Sequence, residues 1–407
     1  MDIKKLLDKY QIRPQVKKED TENTVLDREI DKLVPGKVVN NEHGSYFMTE
    51  NRYPLTYLYG GVPLGDLLDI DDVSFECLAG NPYLDPRRML FLDTETTGLS
   101  SGTGTVAFLV GVGFLEEDCF VLRQYFMRDY HEEASLLYDL GAILKNAQSV
   151  VTYNGKSFDL PLLNARFIAN RFRPGFGNPE HLDLLHISRL FWKGVYENCR
   201  LCTIEREVLG EIRIEDIPGE QIPLEYFRYL DTKDATVMKK VLSHNESDIL
   251  TLAALLVRFS RMVKNRFFSE EVVELTGLSK LYEKRENYDS MTECLERRFN
   301  LVPDAWDFDS LRRISVIYKR TGRYDKALSL WRYYFEKEDL DTAIGLKVYA
   351  GTEIAKYLEH KERDYLSALK TVNELIVFLK SKRIFGQKYL PELDKRKSRL
   401  EKLVKRR

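Results

Sequence analysis

The chain has 407 residues, room for two or three domains, and its 43% hydrophobic and 31% charged content is that of an ordinary globular protein. No apolar run approaches a membrane span, and Met1-Asp2-Ile3-Lys4-Lys5 lacks the apolar core of a signal peptide. Five cysteines, an odd number in a long chain, argue for a reducing compartment, so no membrane association and a cytoplasmic location are expected; the net charge of −2 gives no uniform attraction to polyanions.

Residues 1 to about 33 are charged and weakly periodic, with one helix expected around Ile3, Leu6, Leu7 and Tyr10. From Pro35 to about 80 the pattern is strand-like. Val38-Val39 and Tyr46-Phe47-Met48 flank Asn-Glu-His-Gly, which reads as a hairpin. Residues 1–85 therefore form an N-terminal flank to which chemistry assigns no role. Residues 86–262 follow as an α/β domain. Strands are expected ending at Asp93, at Thr105–Leu115 and at Cys119–Phe126, then a helix from Glu132 to Lys145, a strand at Val150–Tyr153, a helix at Asp159 and a strand near Leu182–Leu185. Cys199 and Cys202 form one Cys-x-x-Cys with no second pair at zinc spacing. Leu201, Ile204 and Val208 around it keep helical spacing, so core packing is the better account.

Residues 270–380 read as wholly helical and repeat themselves. Leu281-Tyr282-Glu283-Lys284-Arg285-Glu286-Asn287-Tyr288-Asp289 aligns with Ile317-Tyr318-Lys319-Arg320-Thr321-Gly322-Arg323-Tyr324-Asp325. A weaker third copy runs from Tyr357 to Tyr365, with Ala368 where Ala327 stands. A period in the mid-thirties of this kind resembles tetratricopeptide repeats, whose grooves dock peptides or protein partners. Residues 381–407 close the chain as a basic tail: from Lys380 to Arg407 there are twelve Lys or Arg against three Asp or Glu, a distribution suited to a phosphate backbone or simply to solvent.

The chemistry concentrates in Leu90-Phe91-Leu92-Asp93-Thr94-Glu95-Thr96-Thr97-Gly98-Leu99. Three apolar residues make a buried strand, and Asp93 and Glu95, two apart, share one of its faces. Two carboxylates that close repel, and one would stay protonated unless a cation sat between them. Mg²⁺ and Mn²⁺ are the usual oxygen-loving partners. Two later segments supply further ligands. In Asn154-Gly155-Lys156-Ser157-Phe158-Asp159-Leu160-Pro161, an apolar strand passes into a helix whose first turn carries Asp159. In His244-Asn245-Glu246-Ser247-Asp248, the His and the Asp are four apart on a helix and share a face. Gly102 and Gly104, in the loop after the first segment, would let a substrate strand approach or serve as a plain turn. Taken singly, these are a solvated turn, an N-cap and a surface pair; in order, each on its expected element, they describe one site.

The three segments resemble motifs one, two and three of the DEDD exonucleases. With three meandering strands followed by alternating helices and strands, the 86–262 region resembles the ribonuclease-H-like fold. The resemblance implies a mixed sheet with flanking helices and four carboxylates, Asp93, Glu95, Asp159 and Asp248, holding two divalent ions. His244 matches the residue that orients or deprotonates water. It stands at the spacing of the tyrosine branch, three residues between it and Asp248, rather than the four of the histidine branch. A nuclease-like domain followed by tetratricopeptide-like helices resembles the YprB family of bacterial proteins over nearly the whole chain. The expected activity is 3′-5′ exonucleolytic hydrolysis of DNA or RNA by a two-metal mechanism with Mg²⁺ or Mn²⁺. A non-catalytic nucleic-acid-binding adaptor that recruits a partner, and a structure-selective endonuclease, are the alternatives.

Overall fold

The computed structural model describes residues 28–98, 104–173, 179–266, 271–302, 308–337, 344–381 and 388–406. The expected N-terminal helix at Ile3–Tyr10 and the loop glycine Gly102 lie outside them. The chain divides into two compact units, Met1–Asn265 and Arg266–Arg407.

The first unit is built on a mixed seven-stranded sheet with flanking helices, the α/β class expected. The strands are β1 (Lys37–Asn41), β2 (Gly44–Pro54), β5 (Met89–Thr96), β6 (Ala107–Glu116), β7 (Cys119–Phe126), β8 (Ser149–Thr152) and β9 (Glu180–Asp183), in the order β1-β2-β7-β6-β5-β8-β9. The short β3 (Leu58–Tyr59) and β4 (Val62–Pro63) pair apart from it. β5, β6 and β7 form an antiparallel meander, and β8 and β9 join β5 in parallel. Met89 to Leu92 are buried without alternation because β5 lies inside the sheet with both faces covered. The hairpin around His43 forms as expected, with Val38 opposite Phe47. β2 then pairs along its length with β7, so the flank widens the sheet.

The helices of this unit are α1 (Ile30–Leu33), α2 (Asp72–Ala79), α3 (Glu133–Lys145), α4 (Asp159–Ala169), α5 (Leu184–Trp192), α6 (Leu201–Ile204), α7 (Ile222–Thr232) and α8 (Thr236–Lys264). The strand expected to reach Leu185 ends at Asp183, whose carboxylate caps α5 by accepting from Leu185 N. Cys199 and Cys202 are free thiols; Cys202 is exposed, so the core packing expected for the pair is carried by Ile204 and Leu209 instead.

α8 positions everything else. It runs 29 residues, and from Asp248 to Val257 every residue is buried, as suits a helix covered on all sides. It lies close against β6 because two residues there have no side chain. A Cβ on Gly111 would stand 2.2 Å from Asn245 Oδ1, and one on Gly113 would stand 2.6 Å from Ile249 Cγ2. Gly111 and Gly113 are i, i+2 on a strand; Asn245 and Ile249 are i, i+4 on a helix. The two periodicities bring each pair to one face.

The second unit is all helical: α9 (Val272–Lys284), α10 (Tyr288–Leu301), α11 (Phe308–Arg320), α12 (Tyr324–Glu336), α13 (Ile344–Tyr357), α14 (Tyr365–Ser381) and α15 (Leu390–Lys405). Glu286, Gly322 and Arg363, each two residues before the next helix, are all left-handed, with φ of 57°, 73° and 56°. The sequence repeat is thus a repeated turn geometry. The third copy departs from the period at a π-helical turn, Leu358–Glu362. Much of the expected basic tail is a packed helix: Leu393 and Leu400 of α15 are buried, and Arg396 and Arg399 pair with the buried Glu359 at 2.7 and 2.8 Å.

Gly111→Ala is expected to destabilise the protein by about 1–3 kcal/mol in urea denaturation, because the added methyl group displaces the side-chain amide of Asn245.

Candidate active site

Asp93 lies opposite Gly111 on β6, which lies opposite Gln124 on β7, which lies opposite Thr49 on β2. A hydrogen-bonded chain follows that row. Thr49 Oγ1 donates to Gln124 Oε1, Gln124 Nε2 to Asn245 Oδ1, and Asn245 Nδ2 to Asp93 Oδ2, each at 2.9 Å. The bare Gly111 is what lets Asn245 reach across. Asp93 is therefore held by α8 through an amide that cannot titrate, and the chain begins in the N-terminal flank.

Glu95, further along β5, meets the other residues of α8. His244 Nε2 is 3.8 Å from Glu95 Oε1 and 3.4 Å from Asp248 Oδ2, with side-chain exposures of 12–14%. One ligand atom from each of Glu95, His244 and Asp248 lies within 4.8 Å of the others. Asp159 is the first residue of α4, is 6% exposed and accepts from the hydroxyl of Thr94. The preceding loop is held by Asp183, which accepts from Asn154 N at 2.8 Å and Lys156 N at 3.1 Å. The structure thus brings all five expected residues to one end of β5.

Their charges strain one another. Burial, then the charges of Asp248 and Asp159, push the Asp93 carboxyl well above its usual range, and the Asn245 hydrogen bond only partly offsets this. Glu95 is raised by burial and then by Asp93, Asp248 and Asp159. Asp159 is pushed up to about 6, by burial above all, with Thr94 pulling it down and Asp183 and Asp248 adding to the rise.

Sequence reasoning missed the residues that manage this charge. Arg213 donates through Nη2 to Asp248 Oδ1 and through Nε to Glu205 Oε2, both at 2.6 Å. Burial opposes its charge, but Asp248 and Glu205 outweigh that and raise its pKa. Glu205 is itself fixed by the hydroxyls of Tyr59, from the β3–β4 hairpin, and Thr251. Asp216 Oδ1 lies 2.7 Å from His244 Nδ1, which leaves Nε2 facing Glu95 and Asp248. Arg213 and Asp216 sit in an irregular loop, where no periodicity marks them; Asp183 carries a readable signal as an N-cap, and Asn245 as the neighbour of His244.

Such a cluster at the strand ends of this sheet, against the face of a buried helix, defines a ribonuclease-H-like domain of the nuclease type. Residues 90–260 match the sequence model of the RNase H superfamily. The uncharacterized protein YprB of Bacillus subtilis (strain 168) is 32% identical over 337 residues, covering 80% of this chain and 79% of that one. The chain belongs to the YprB family. No helix among the described residues is long and apolar enough to cross a membrane.

In metal-free protein the raised Asp159 favours the folded state below the unfolded pKa near 4, and that stability is lost as pH rises through about 6. Asp159→Asn keeps the Thr94 acceptor without the charge. It is expected to flatten the fall in chemical-denaturation stability between pH 4 and 7, by no more than about 3 kcal/mol at neutral pH.

Proposed function

We propose that this chain is a metal-dependent nuclease, most directly a 3′-5′ exonuclease that hydrolyses phosphodiester bonds of DNA or RNA. The observation that carries the reading is the convergence of Asp93, Glu95, Asp159 and Asp248 at one end of β5, with His244 beside Glu95 and Asp248 and one cation, Arg213, among the described residues bonded into the cluster. Arg213 shares its single charge between Asp248 and Glu205, and among the described residues Asp93, Glu95 and Asp159 have no Arg or Lys partner of their own. That donor set, all oxygen with one imidazole beside it, fits Mg²⁺ or Mn²⁺. Asp93, Glu95, Asp159 and Asp248 would hold the ions. Bound there, two such ions would supply a more acidic water and offset charge on the phosphate and leaving oxygen.

The chain's own residues then have defined tasks. Asp216, at Nδ1, orients the His244 ring, and Nε2 accepts the proton of the attacking water as its oxygen bonds to phosphorus and the 3′ oxygen of the neighbouring nucleotide leaves. Asn245 aims Asp93 and favours its charged form against burial, and Arg213 fixes Asp248 by one oxygen while the other stays toward the site. The domain of residues 86–262 would carry this chemistry in the cytoplasm, and the tetratricopeptide-like helices of 270–380 would dock a protein partner. A non-catalytic adaptor is the second reading, favoured by Arg213, whose guanidinium occupies one oxygen of Asp248.

The deciding experiment is Mn²⁺- or Mg²⁺-dependent degradation of end-labelled single-stranded DNA and RNA. A ladder of shortened products is expected from the native chain, with a loss of more than about 100-fold in Asp93→Ala. Cleavage of circular substrates would instead make it an endonuclease, and binding without cleavage an adaptor. His244→Ala is expected to slow turnover by about 10²–10⁴-fold with Mn²⁺ affinity by calorimetry nearly unchanged; equal loss of both would make His244 a ligand.

A further inference from the structure

We infer that a cationic, aromatic groove beside the carboxylate cluster binds the single strand of nucleic acid adjoining the scissile phosphate. The assignment rests on the nuclease reading above and names the face by which its substrate is held. The groove is a cleft of about 620 Å³ whose walls include Tyr153, Asn154, Arg189, Lys193, Tyr196 and Arg200. That volume lies in the ordinary range for ligand clefts.

Its place in the fold ties it to the site. Asn154 and Leu185, both in its wall, donate backbone N–H groups to Asp183 at 2.8 and 3.1 Å, as Lys156 also does. Asp183 is also the carboxylate whose charge raises Asp159 more than that of Asp248 does. One short loop, from Asn154 to Asp159, therefore joins the groove to a proposed metal ligand. Asn154 holds a left-handed φ of 69° there, uncommon for a residue with a side chain, and its amide is exposed.

The charges answer a need the cluster creates. Four crowded carboxylates repel a polyanion, so a strand must be attracted from beside them. Arg189 at the end of α5, Lys193 just past it and Arg200 before α6 are all exposed. Among the described residues none of the three makes an ion pair, and Glu197 is the one acid in the wall. Exposed cations along one wall, free of ion pairs among the described residues, suit a phosphate backbone. The tyrosines supply the other half of the recognition. The Tyr153 hydroxyl donates to Cys199 O at 2.8 Å, which fixes the ring in the wall, and flat rings of this kind stack bases without regard to sequence.

The test is fluorescence anisotropy with the full chain and a labelled 15-mer of thymidine or uridine, in EDTA, across a salt series. Arg189→Ala/Lys193→Ala/Arg200→Ala is expected to bind at least about 10-fold more weakly, with the log–log salt slope reduced by about 2. Arg189→Lys/Arg200→Lys, which keeps the charges, retains most of the affinity. Lys32→Ala/Lys37→Ala/Lys145→Ala, three exposed cations elsewhere on this unit, binds as the native chain does. Photocrosslinking from 5-iodouracil to Tyr153 or Tyr196 is the expected direct contact. Native affinity and slope in the groove variant, equal loss in the control variant, or no binding by the native chain would each overturn the proposal. Because binding in EDTA needs no cleavage, a failed nuclease reading appears separately, as a native chain that binds through the groove yet never cuts.

Discussion

The close seating of α8 on β6 is the contact from which the rest of the active-site geometry follows. Gly111 and Gly113 remove two side chains from the face of a central strand, and Asn245 and Ile249 fill the space. Because the helix lies so near the sheet, one amide can bond both Gln124 and Asp93, and the next turn places Asp248 against Glu95. A helix held farther off by ordinary side chains would leave Asp93 without its partner and spread the carboxylates. The buried length of α8 beyond Asp248 anchors that position, since nine consecutive buried residues, Ile249 to Val257, resist any sliding of the helix along the sheet.

That geometry has an electrostatic cost, and the surrounding structure distributes it unevenly. Asp248 receives Arg213; Asp93 receives a neutral amide; Asp159 receives a hydroxyl; Glu95 faces an imidazole at 3.8 Å. Only the first of these carries a fixed positive charge, and it is shared with Glu205. The result is a site in which Asp93, Glu95 and Asp159 are pushed toward protonation by burial and by neighbouring carboxylates, which is the state a divalent cation would relieve. Arg213 in turn depends on Glu205, and Glu205 on Tyr59 and Thr251. A hairpin near the N-terminus thus stabilises the cation that orients an acid nearly two hundred residues away.

In the helical unit the controlling element is a turn rather than a site. Glu286, Gly322 and Arg363 take the same left-handed conformation at equivalent places, though only one is glycine. Each of these turns is followed by a tyrosine at the first position of the next helix, at Tyr288, Tyr324 and Tyr365. Trp331, buried and bonded to Ser315 Oγ at 2.9 Å, shows how the second pair closes on itself.

The sequence by itself determined the sheet-and-helix class of the first unit, the helical repeats of the second, and the identity of the five residues gathered at the end of β5. Those features are local: a buried strand ending in Asp-x-Glu, an Asp at a helix start, and a His and an Asp four apart each announce themselves within a few residues. Tertiary structure alone decided the partners. Arg213 and Asp216 come from a loop with no periodic signal, and Asp183 looks like any helix cap until its distance to Asp159 is known. Thr49 and Gln124 read as ordinary strand residues until register sets them in line with Asp93. Charge balance and hydrogen-bond reach depend on separations in space between residues far apart in the chain, and no spacing along the sequence encodes them.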